Sequence, residues 1–167
     1  MIIRLTKRKD GSAILRCDRD DGTSSWQRQQ GSLASVFPSH DITHYVVETE
    51  LGFTQGFFGL VAAGWDINET SGKTARGKLP AEALTVEQIV GFFDLQRALG
   101  AEWNAEQMNE HARVYASSRG YTAVRDLADA EIRRIRERMQ DLTRQWRELA
   151  ADETLELSFE VLSRQEK

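Results

Sequence analysis

The chain is poor in cysteine and histidine, lacks a long apolar run and carries no excess of positive charge. One cysteine, Cys17, among 167 residues excludes an intramolecular disulfide. The longest apolar stretch, residues 56–65, is far shorter than the roughly 20 residues a membrane helix needs. The apolar run at the N-terminus breaks at Arg4, which does not fit a signal peptide. Lys and Arg number 22 against 26 Asp and Glu, a formal charge of −4. That balance argues against a chain whose main task is gripping nucleic acid. Internal repeats and low-complexity tracts are also missing. Together these absences read as a cytoplasmic protein with no membrane span.

What remains is an ordinary globular composition, 40% hydrophobic and 29% charged. The length favours one domain over residues 1–167. At this size folding buries about two-thirds of the unfolded surface, so neither a disulfide nor a metal is needed for stability.

The ends of the chain read as strands. Residues 2–8 and 12–18 flank Asp10-Gly11, a hairpin signal because glycine takes a positive φ without steric cost. A second turn at Asp20-Asp21-Gly22 leads into residues 23–29. Near the C-terminus Leu155, Leu157, Phe159 and Val161 alternate with polar residues, the period of a half-buried strand. The expected fold is therefore α+β. A small antiparallel sheet of three N-terminal strands plus the C-terminal strand packs against about five helices, including a long C-terminal one.

The middle reads as those helices. Pro38 and Ser39 open one that runs to about Glu50, with Gly52 past its end. In the apolar segment 56–64, Gly56, Gly59 and Ala63 allow close packing of another backbone. Residues 66–80 read as a polar loop. Its Gly72-Lys73-Thr74 is not a phosphate loop, because Ile67 stands where the motif needs glycine. Thr85 and Gln88 suggest a capping box opening a helix to Leu99, followed by a helix from Glu102 to Ser118. In the last helix, about 128–150, Ile132, Ile135, Met139, Leu142, Trp146 and Leu149 form a heptad seam. Its arginines are interleaved with Glu131, Glu137, Asp141 and Glu148, a mixed face rather than a basic one. Trp26, Trp65, Trp103 and Trp146 are expected to pack the core.

One short stretch carries chemistry. His40 and His44, two of the three histidines, are four residues apart on a predicted helix. They share one face about 6 Å apart along the axis, a spacing at which two imidazoles can hold one metal ion. Residues 40–44 resemble the His-Glu-x-x-His motif of zinc metalloproteases, with Asp41 in place of the glutamate. The resemblance spans five positions and implies His40 and His44 as ligands and Asp41 as the catalytic base. Aspartate is one methylene shorter, and a base must come within about 2.6–3.2 Å of its proton. No further residue at the family's spacing supplies a third ligand, so the chain is not assigned to it. His111 on another helix, or Glu48, is the candidate third ligand. His40 and Glu48 lie about 12 Å apart on a straight helix, too far for both to join His44 easily on one ion. The bland alternative is that Ser39 or Asp41 caps the helix and both histidines face solvent.

Two functions follow. The first is a domain binding zinc or another divalent metal, with hydrolysis of a small molecule as the activity such a metal could serve. The second is a non-enzymatic protein-interaction domain that uses the long heptad helix, whose seam could also join a homodimer.

Overall fold

A computed structural model describes residues 1–32, 34–70, 77–120 and 125–160. Strands β1 (Ile2–Lys7), β2 (Ala13–Asp18), β3 (Ser24–Arg28) and β4 (Thr154–Ser158) form one antiparallel sheet in the order β3-β2-β1-β4. Tight turns at Gly11 (φ 80°) and Gly22 (φ 84°) set the register of the first three strands. β1 then pairs with β4, Leu5 opposite Leu155 and Ile3 opposite Leu157, joining the two ends of the chain.

Alternation gives the sheet one buried face. Ile3, Leu5, Leu15, Cys17, Leu155 and Leu157 point into the helical layer. Arg4, Arg16 and Glu156 occupy the other face, where Arg4 bonds both Asp18 and Glu156. Trp26 is on that outer face and is 58% exposed, which corrects its expected place in the core. The cause is strand parity, because Ser25 takes the inward position of β3. Trp146 is buried as expected, while Trp65 and Trp103 are half-buried.

Helix α1 (Phe37–Leu51) is the hub of the helical layer and is buried continuously over residues 41–48. It packs against α2 (Phe57–Ala62), α3 (Ala81–Leu99) and α5 (Asp129–Glu148). Val36 is its N-cap, with Pro38 in the first turn. Neither Ser39 nor Asp41 caps it, which corrects the capping alternative. Gly59 in α2 is required by packing, since a Cβ there would lie 2.2 Å from the Thr54 carbonyl oxygen.

α3 begins at Ala81, a turn before the expected Thr85 cap. Pro80 presets the entry, and the Thr85 hydroxyl donates back to the Ala81 carbonyl inside the helix. α4 (Ala105–Ser118) starts at Asn104, whose side chain closes a capping box with Gln107. On α5 the seam residues Ile132, Ile135, Leu142 and Trp146 are buried and Met139 and Leu149 half-buried, spent on the chain's own core. The Lys7 ammonium donates to the carbonyls of Trp146, Arg147 and Leu149, tying β1 to the C-terminal end of α5.

A 3-10 turn, Ile67–Glu69, opens the predicted 66–80 loop. Gly72, Lys73, Thr74, Arg76 and Val161 lie outside the described residues. Among the described residues no helix is long and apolar enough to cross a membrane.

Candidate metal centre

α1 and α3 run side by side, and their facing turns bring two histidines against a row of acids. His40 and His44 are one turn apart, with ring centroids 4.7 Å apart and the rings edge to face. Glu87 and Asp94, two turns apart on α3, face them. The nearest donor atoms of His40, His44 and Glu87 all lie within 4.8 Å of one another. His44 Nε2 is 3.5 Å from Glu87 Oε1. Ligands of a tetrahedral zinc at about 2.0–2.1 Å stand about 3.3–3.4 Å apart. Rotation of the half-exposed Glu87 side chain would close the remaining distance.

A carboxylate orients each imidazole from behind. Asp94 Oδ2 is 2.6 Å from His40 Nδ1, and Glu48 Oε1 is 3.3 Å from His44 Nδ1. Both rings therefore leave Nε2 as the nitrogen not bonded by the supporting acid. Such outer carboxylates fix the tautomer and direction of metal-binding histidines. Asp94 is itself held by Arg97 (2.6 Å) and the Thr43 hydroxyl (3.3 Å). Burial would raise its pKa, but the His40 bond and the Arg97 charge outweigh that and lower it.

Glu48 is buried completely and its charge is satisfied locally. The backbone amides of Phe58 (3.2 Å) and Gly59 (3.0 Å) donate to it, beside His44. Gly56 leaves room for this carboxylate, because a Cβ there would come within 2.5 Å of Glu48 Cδ. Burial of His44 works against its charged form. The Glu48 bond and the charge of Glu87 prevail, so its pKa is raised.

The other expected site residues are placed elsewhere. Asp41 is buried on another side of α1, where its carboxylate accepts from Gln29 just past β3. Burial pushes its pKa up to about 6 against the opposing effects of His40, His44 and Gln29. His111 is exposed on α4 and stacked on Trp103 at 4.2 Å. Glu48 supports His44 from behind rather than standing beside Glu87. The residue that completes the three-donor group is Glu87, which sequence reasoning missed. Its signal was the seven-residue spacing to Asp94, which puts two acids on one face of α3.

Scans of protein-family models, curated proteins and solved structures return no match to this chain.

Proposed function

We propose that His40, His44 and Glu87 bind a divalent cation, with Asp94 and Glu48 as their outer supports. The observation that carries this reading is the paired orientation of the imidazoles. Each Nδ1 is engaged by its own carboxylate, and the donors of the three residues converge. Two histidines and one carboxylate suit zinc and also other first-row divalent ions. Three protein ligands would leave a coordination position for water or substrate, and a bound metal would lower the pKa of such a water. Hydrolysis of a small molecule is the reaction class this chemistry supports. Asp41, buried against Gln29, is given no part in this reading.

Calorimetric titration of metal-free protein with zinc, beside Glu87→Gln and His40→Ala, tests the proposal. Glu87 and His40 are the more exposed ligands, so their loss spares the core. One zinc per chain is expected in the wild type, weakened at least tenfold in each variant. Equal zinc uptake by all three proteins, or none by any, overturns it.

A further inference from the structure

We propose that a groove between α3 and α5 binds a small organic anion with an apolar body. This site is separate from the metal reading and does not depend on it. The groove encloses about 320 Å³, at the lower end of the range typical of small-molecule sites. Phe93 and Met139 supply its apolar floor. Four arginines line it on a chain whose formal charge is −4.

Two of those arginines are already matched. Arg97 pairs with Asp94, and Arg144 pairs with Asp141 and Glu148. The other two are not. The half-buried Arg136 guanidinium donates to the Gln96 side-chain oxygen (2.6 Å) and the Trp103 carbonyl (2.5 Å), both neutral acceptors. Arg147 makes no side-chain ion pair among the described residues. Glu102 lines the same groove, is exposed and pairs with none of these arginines.

Arg136 is thus a positive group held in a fixed direction with no ion-pair partner among the described residues. Gln96, itself buried, sets that direction and also accepts from the Trp103 amide. A carboxylate or sulfonate at this point would add the ion-pair attraction that the neutral acceptors do not supply. The apolar floor selects an organic anion over an inorganic one, because a small hydrated ion gains nothing from Phe93 and Met139. Arg147 would draw the anion toward the groove from its rim.

Octanoate is the probe, titrated into the full chain by calorimetry, with 1-octanol as its uncharged counterpart. Saturable one-to-one binding of octanoate is expected, with 1-octanol at least tenfold weaker. Arg136→Gln should weaken octanoate at least tenfold and Arg147→Gln a few-fold. Arg136 also ties Gln96 to the loop before α4, so a second variant guards against a general disturbance. Met139→Trp fills the groove from a half-buried position and should abolish binding while the melting curve stays cooperative. The proposal fails if octanoate shows no saturable binding up to about 10 mM, beyond the millimolar range of weak specific contacts. It fails equally if 1-octanol binds as tightly, or if Arg136→Gln or a folded Met139→Trp protein binds octanoate unchanged.

Discussion

Asp41 and Gln29 meet inside the protein as a carboxyl and an amide that satisfy only half of one another. Gln29 Nε2 donates to Asp41 Oδ2, while Gln29 Oε1 is buried without a partner among the described residues. A protonated Asp41 would complete the pair by donating to that oxygen, in keeping with a pKa raised by burial to about 6.

Asp41→Asn tests this relationship. An asparagine amide can donate to Gln29 Oε1 while its oxygen accepts from Nε2. A folded pKa near 6 against an unfolded value near 4 means that Asp41 favours folding below the unfolded value. That favour is lost as pH rises through about 6. At pH 8 the charged form costs up to about 3 kcal/mol, from roughly 1.36 kcal/mol per unit. Urea unfolding should therefore show Asp41→Asn at least as stable as wild type at pH 8, with that advantage shrinking toward pH 4. A variant less stable at pH 8 than at pH 4, relative to wild type, would contradict the pairing.

Metal uptake should depend on acidity and on the outer carboxylates. His44 must lose its proton to ligate, and its raised pKa lets protons compete more strongly. Zinc affinity should fall as pH drops from 8 to 6. Asp94→Asn removes the acid behind His40 and should weaken zinc by about 10- to 100-fold. Competition with a coloured chelator reads both effects.

Two glycines in the helical layer should respond in opposite directions to alanine. Gly59→Ala places a methyl on the Thr54 carbonyl oxygen and should cost about 1–3 kcal/mol through overpacking. Gly91, mid-helix in α3, faces open space, so Gly91→Ala should stabilise by about 0.5–1 kcal/mol. Thermal melts of the two variants provide the comparison.

The Cys17 thiol should resist labelling. It is fully buried on β2, and burial pushes its pKa up to about 12. A disulfide reagent such as Ellman's should leave the native protein unmodified and react with one thiol per chain in denaturant.

The sheet was legible because period-2 alternation and two Asp-Gly turns leave little freedom for residues 2–28. The seam of α5 was legible for a similar reason, since apolar spacing of three and four residues has one geometric solution. Trp26 was misread because its bulk suggested burial, whereas strand parity assigned the inward place to Ser25. The candidate metal site was half legible. His40 and His44 share a face by local geometry alone, but Glu87 joins them only because α3 packs alongside α1. That pairing of helices is a tertiary fact with no local code. Glu48 looked like a possible ligand for the same reason that it is a support, its four-residue spacing from His44.

The pairing of β1 with β4 has a consequence for synthesis. β4 follows every helix among the described residues, so the first strand presents an open edge until residues 154–158 have left the ribosome. The nascent chain must keep that edge from pairing with neighbours while residues 8–153 are being made. The charged Arg4 and Lys7 on β1 guard it while it waits.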